Sequence, residues 1–267
     1  KLIYYENEEE YTSKDFIFDL ELLYRKGIRR EHKLKFGHYN STISDSIKFL
    51  NNNYLQNNKK SGSYVKLTYG FSDENRDYIV YPLNGHLLSL GVSKYFASSS
   101  PVSHLEFTAR VEKHIEPKNR LFLGSSFSAK FSSEDNIAYF AQKKQGFGFK
   151  NYVRGYEYYV VDGQDFWLSR TALKYAIIEK TEFEMPYIKM TQFKKAHYSI
   201  YFGVFSDMGY ICDLQNTNTN PLQKKLLWGK GLSLDYVTYY DRIIRIEYSI
   251  NHLGEKGVFL HFSNPFG

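Results

Sequence analysis

One cysteine among 267 residues, Cys212, leaves no partner for an intrachain disulfide and no C-x-x-C pair for a metal knuckle. The uninterrupted apolar runs are only a handful of residues long and the mean hydropathy is −0.49. A helix spanning lipid needs about 20 consecutive apolar residues, so membrane helices are excluded. The net charge of +6 is interleaved with acids and forms no basic block, which argues against nucleic acid as a partner. No G-x-S-x-G, H-E-x-x-H or P-loop occurs, and the eight histidines are scattered. His104 and His114 read as ordinary polar residues, and the run Gly146-Phe147-Gly148-Phe149 opens no helix and is no phosphate loop. No catalytic residue, cofactor or metal is therefore expected, and the chain reads as something other than an enzyme.

What is abundant is aromatic. Tyr (25) and Phe (21) far outnumber Met (3) and Pro (6), and these aromatics prefer strands to helices. Nearly every segment alternates with period 2 between turn residues. In Ser63 to Ser72, Val65, Leu67, Tyr69 and Phe71 share one face; Lys66, Thr68, Gly70 and Ser72 share the other. In His104 to Glu116, Leu105, Phe107, Ala109, Val111 and Ile115 lie opposite His104, Glu106, Thr108, Arg110, Glu112 and His114. Many such stretches run 10 to 14 residues. Soluble strands are typically about 5 to 6 residues long, whereas a tilted strand crossing hydrocarbon needs about 9 to 11. The expected fold is all-β, a transmembrane antiparallel barrel with its apolar face on lipid and its polar face in a wet lumen.

Strands are expected at 16–26, 30–43, 63–73, 85–97, 103–116, 119–132, 166–179, 196–211, 230–240, 242–252 and 256–264. Short turns are expected at Lys26-Gly27, Pro117-Lys118-Asn119, Tyr240-Asp241-Arg242 and Gly254-Glu255-Lys256-Gly257, and long connections at 44–62, 133–165, 180–195 and 212–229. Eleven strands is an odd number, and bacterial single-chain barrels have an even one. Either Leu2 to Glu6 adds a twelfth, or residues 1–267 are one partial barrel domain, the C-terminal part of a larger barrel; the second is favoured. The start at Lys1, without Met or an apolar signal region, is that of a processed or partial chain.

The segment 133–165 is long and lacks alternation, which in a compact domain marks a loop with a task. It carries Val153-Arg154-Gly155-Tyr156. Upstream stand Asn75-Arg76-Asp77 and Tyr81-Pro82-Leu83-Asn84-Gly85; downstream stand Phe205-Ser206-Asp207-Met208-Gly209. At the end Glu255-x-Gly257-x-x-Leu260-x-Phe262 precedes Asn264-Pro265-Phe266. In this order, over residues 16–267, the chain resembles the C-terminal, surface-antigen-type barrel of the BamA/TamA superfamily of outer-membrane assembly factors and two-partner secretion transporters. That superfamily places V-R-G-[FY] at the tip of a long loop folded into the lumen, with R-D…P-x-x-G and F-x-D-x-G around it.

The resemblance implies the last eleven strands of a sixteen-stranded barrel in the bacterial outer membrane, with POTRA domains upstream. Arg154 should meet an inward Asp207, with Gly209 in the same anchor, because an unpaired buried charge costs several kcal/mol. Gly155 should permit close approach to the wall, and Tyr156 should stack or hydrogen-bond at the tip. Gly257, Leu260, Phe262 and Phe266 should form the last-strand signal and one side of a lateral seam. Many relatives carry a second acid just after the loop; here Ala172-Leu173-Lys174-Tyr175 has Lys instead, with Glu179 or Glu157 as substitutes. The implied function is insertion or translocation of outer-membrane proteins. Its partners would be outer-membrane lipids, unfolded outer-membrane protein substrates, and envelope lipoproteins or other complex subunits. A non-catalytic scaffold or anchor in an envelope complex and a passive channel are the alternatives.

Overall fold

The computed structural model describes residues 12–50, 54–55, 59–97, 103–134, 137–142, 146–148, 151–184, 195–212, 221–238 and 242–263. In chain order the elements are β1 (Ser13–Lys26), β2 (Arg30–Ile43), α1 (Asp45–Leu50), β3 (Ser61–Glu74), β4 (Gly85–Phe96), β5 (Leu105–Lys118), β6 (Leu121–Ser132), α2 (Tyr139–Gln142), β7 (Gly146–Phe147), β8 (Val161–Asp162), β9 (Asp165–Glu184), β10 (Lys195–Cys212), β11 (Leu226–Thr238), β12 (Arg242–Asn251) and β13 (Lys256–Ser263). The possible strand at Leu2 to Glu6 and the terminal Phe266 lie outside the described residues.

The eleven long strands form one antiparallel sheet in the order β1-β2-β3-β4-β5-β6-β9-β10-β11-β12-β13. Every neighbour is also the next long strand in the chain, the meander that short connections enforce. The excursion between β6 and β9 leaves that pattern intact, since Leu121 still pairs Tyr175 and Lys130 still pairs Phe166. β1 and β13 stand at the two edges of the sheet. In an antiparallel meander, connections alternate between the two ends. One end carries the turn at 27–29 and the turn at 119–120; the other carries the segments between β2 and β3, β6 and β9, and β10 and β11. Two connections depart from the expected division. The expected long connection at 180–195 lies on the short-turn end, and β9 and β10 grow into it as far as Glu184 and Lys195; the turn after β12 lies on the long-loop end.

The two faces of the sheet are inverted relative to a water-soluble fold. Along β5, Phe107 and Val111 are exposed while Glu106 and Glu112 are buried. Along β10, Phe202, Val204 and Met208 are exposed while Asp207, between them, is 0% accessible. β11 and β12 repeat this, with Leu232, Leu234, Ile244 and Ile246 outside and Asp235 and Glu247 inside. Charged side chains are almost never fully buried unless paired, and a full apolar side chain gains about 1.5–3 kcal/mol by leaving water. Such a sheet therefore suits an apolar solvent outside and a polar interior.

On the inner face the apolar residues form three separate patches, each where a connection folds inward. One joins Tyr64 and Tyr95 to Ile137 and Phe140, and another joins Tyr81 to Tyr201 and Ile243. The third holds the candidate site.

Candidate functional site

The excursion 133–164 is braced before it reaches the Arg154 turn. Phe147 and Val161 pair as the short β7–β8 ladder. Both are buried with Val153, Tyr156, Phe166, Leu168, Ile211 and Leu227. Apolar loop residues thus meet the few apolar positions of the inner wall, and that contact delivers Arg154 to the acids beside them. Room for the loop backbone comes from glycines. A Cβ on Gly229 of β11 would stand 1.7 Å from the Arg154 carbonyl oxygen, and one on Gly209 of β10 would stand 2.7 Å from Val153 Cγ2. Gly155 itself has φ +93°, a left-handed conformation that costs L side chains energy.

Arg154 is held on several sides. Its Nε donates to Asp207 Oδ2 at 2.7 Å and its Nη2 to Asp207 Oδ1 at 2.6 Å, a bidentate fork. Its backbone N–H also donates to Asp207 Oδ2 at 3.3 Å, and Nη1 reaches Glu247 Oε1 at 3.5 Å. The guanidinium stacks 3.8 Å from the Phe205 ring centroid. Burial works against the charge, but the Asp207 hydrogen bond and the Asp207 and Glu247 carboxylates outweigh it and hold Arg154 above its usual range. Asp207 sits mid-strand, paired in register with Arg170 and Gly229, so it is no turn residue capping its own backbone.

The loop is also tied to the β12–β13 hairpin. Asn251 Nδ2 donates to the Gly155 carbonyl at 3.0 Å, and the Tyr159 hydroxyl donates to Glu255 Oε1 at 2.8 Å. Tyr156 shares a hydrogen bond with His252 Nδ1. Burial pushes the Tyr156 phenol up to about 12, so it stays neutral in this contact.

The second acid expected for Arg154 is neither of the two candidates. Glu179 pairs with Arg120 at 3.0 Å, and Glu157 accepts the Gly155 N–H at 2.8 Å. Glu247 of β12 takes that place. Alternation along β12 puts Arg245, Glu247, Ser249 and Asn251 on one face, a readable signal; the pairing across 93 residues was not readable. Lys174, which occupies the expected acid position, lies 3.8 Å from Asp235 Oδ2 and 3.8 Å from the Tyr81 ring centroid.

That contact belongs to a second inward segment, 75–84. Tyr81 donates to Asp235 Oδ2 at 2.7 Å, where Arg245 also donates, at 3.0 Å. Arg76 pairs with Glu112 at 2.8 Å and with Glu74. Gly85, at φ +105°, closes the segment; a Cβ there would lie 2.0 Å from the Asn75 carbonyl oxygen. Between the two segments a cavity of about 260 Å3 is lined by Arg76, Arg110, Arg154, Arg170, Lys174 and Arg245. Of the last-strand residues, Leu260 and Phe262 face outward and exposed, and Gly257, the second residue of β13, pairs Ser249.

No family model matches the chain, and no curated protein does. The structure is similar to the crystal structure of BamA from Haemophilus ducreyi lacking POTRA domains 1-3, with a TM-score of 0.66 at 11% identity. The match covers 94% of this chain and 54% of that one, so this chain spans about half the length of that protein. The chain has a BamA-like β-barrel fold.

Proposed function

From that fold we propose that the chain is an outer-membrane barrel wall that assists insertion or translocation of outer-membrane proteins, without chemical catalysis. The observation that carries this reading is the buried Arg154–Asp207 fork, which pins a long loop to the inner face of a sheet whose outer face is apolar. In this reading the loop braces β10, β11 and the β12–β13 hairpin from inside. β13 forms one side of a seam in this reading; it stands at one edge of the sheet among the described residues. An unpaired edge can template an incoming strand through backbone hydrogen bonds. Outer-membrane lipids and unfolded barrel proteins are the partners this requires. Upstream POTRA domains and envelope lipoproteins would deliver the substrate.

The test is a reconstituted assay in which the full-length protein, in vesicles, accelerates folding of a small barrel substrate. Arg154→Ala and Asp207→Ala should slow substrate folding while both variants still insert into the vesicles. Wild-type rates in both variants would remove the bracing role. Absence of any acceleration by the wild type, with ion conductance instead, would favour the passive channel.

A further inference from the structure

Beside the Arg154 fork lies a cluster whose spare ligand atoms serve neither the lock nor the seam. Glu157 of the loop, Glu247 of β12 and His261 of β13 each place one donor atom within 4.8 Å of the other two. Glu247 and His261 are diagonal neighbours on the inner face, because Glu247 pairs Phe259 and His261 pairs Arg245. Each carboxylate has one oxygen committed and one spare. Glu157 Oε2 accepts the Gly155 N–H, and Glu247 Oε1 faces Arg154 and Arg245, at 3.5 and 3.7 Å. The remaining atoms, Glu157 Oε1, Glu247 Oε2 and His261 Nε2, are shielded from solvent and have no aligned hydrogen-bond partner. Glu247 is 0% accessible, so its spare oxygen has no recourse to water. His261 Nε2 is 3.1 Å from Glu247 Oε2 but is not aligned for a hydrogen bond.

We propose that Glu157, Glu247 and His261 form a divalent transition-metal site that staples the loop to the last strand. Two carboxylates and an imidazole are ligands of the Zn2+ class; Ca2+ and Mg2+ favour all-oxygen shells. With ligand bonds of about 2.0–2.1 Å, tetrahedral donors stand about 3.3 Å apart. The Glu247–His261 pair is already at 3.1 Å. Glu157, on a loop, has to close by about 1.5 Å from the 4.8 Å limit. The surroundings orient the ligands as outer-shell partners do: the Gly155 N–H on Glu157, two arginines on Glu247, and the Tyr152 ring stacked at 19° on His261. Three protein ligands leave a fourth position for water. A bound ion would tie the edge strand to the loop, and through it to Asp207, so its occupancy would set how readily β13 moves. The site stands whether or not the barrel assembles other proteins.

The test uses the untagged full-length protein in detergent micelles, stripped with a chelator and titrated with Zn2+ alone by calorimetry, with Mg2+ and Ca2+ for comparison. One equivalent of Zn2+ should bind, with no comparable Mg2+ or Ca2+ binding. Glu157→Gln and His261→Ala should each weaken it at least about tenfold, as loss of a ligand or its support does. Wild-type Zn2+ should also slow chymotryptic cleavage at Tyr158, and neither variant should show that protection. Heat-modifiable gel mobility identifies variants that retain the barrel, so a folding failure is not scored as lost binding. No stoichiometric Zn2+ binding would overturn the proposal. Equal affinity in folded variants would overturn it too, as binding elsewhere.

Discussion

Arg154→Lys keeps the positive charge and discards the fork, which makes it the sharpest probe of what holds the loop. Arg154 closes two parallel N–H···O bonds on a fully buried Asp207, and a lysine ammonium at that position acts as a point charge instead. Arg154→Ala goes further, leaving Asp207 with the backbone N–H of residue 154 at 3.3 Å and, as a cation among the described residues, Arg170 Nε at 3.9 Å. Removing one partner of a buried pair costs about 3–5 kcal/mol. If loop release is a local opening, that cost raises the open population by about 10^2- to 10^4-fold. Chymotryptic cleavage at Tyr152 and Tyr156, measured on the folded protein in micelles, reports that population when reclosing is faster than cleavage. The expected order is wild type, Arg154→Lys, then Arg154→Ala. The double variant Arg154→Ala/Asp207→Ala should be less open than the two single effects summed, by about 1–3 kcal/mol, because neither partner of the fork is left without the other. Single-variant changes below tenfold, or strict additivity, would refute the reasoning.

Four further outcomes follow from the same geometry. Gly229→Ala puts a methyl into the Arg154 carbonyl, a backbone clash no rotamer relieves, so it should free the loop as fully as Arg154→Ala while far-UV dichroism stays unchanged. Gly254→Ala, at φ +83° with open space around it, should cost only about 1 kcal/mol in urea unfolding and leave cleavage unaltered. Tyr81→Phe removes one hydrogen bond to Asp235 while Arg245 keeps its fork, so unfolding in urea should shift by about 1 kcal/mol. Ile246→Arg, on the exposed apolar face, should cost about 2–4 kcal/mol for folding into vesicles if that position lies near the midplane, and almost nothing if water covers it.

The sheet was legible because alternation survives where both strand neighbours are in regular register. β2 begins and ends at the expected residues 30 and 43, and its pairs with β1 and β3 run without a shift. β9 continues to Glu184, past its expected end at 179. Register shifts around Ile200 set extra β9 residues against β10, so the apolar period breaks at Ile177-Ile178 while the ladder persists. β11 starts at Leu226, ahead of the expected 230, and Gly229 lies within it, where its missing side chain is the space the Arg154 turn occupies. At the site, Arg154 and Asp207 could be put together only by resemblance. Glu247 could not, because alternation gives a residue's face and says nothing of which loop folds onto it. The same limit hid Tyr81 over Asp235 and the proximity of Glu157 to His261.

The central claim is that the apolar face meets lipid and the loop-bearing face does not. In a Cys212→Ser background, single cysteines at Tyr201, Phe202, Val204, Phe205 and Met208 can carry a fluorophore, with the protein in vesicles containing spin-labelled acyl chains. Strong quenching is expected at 202, 204 and 208 and little at 201 and 205. Equal quenching on both faces, or none at 202, 204 and 208, would contradict the claim.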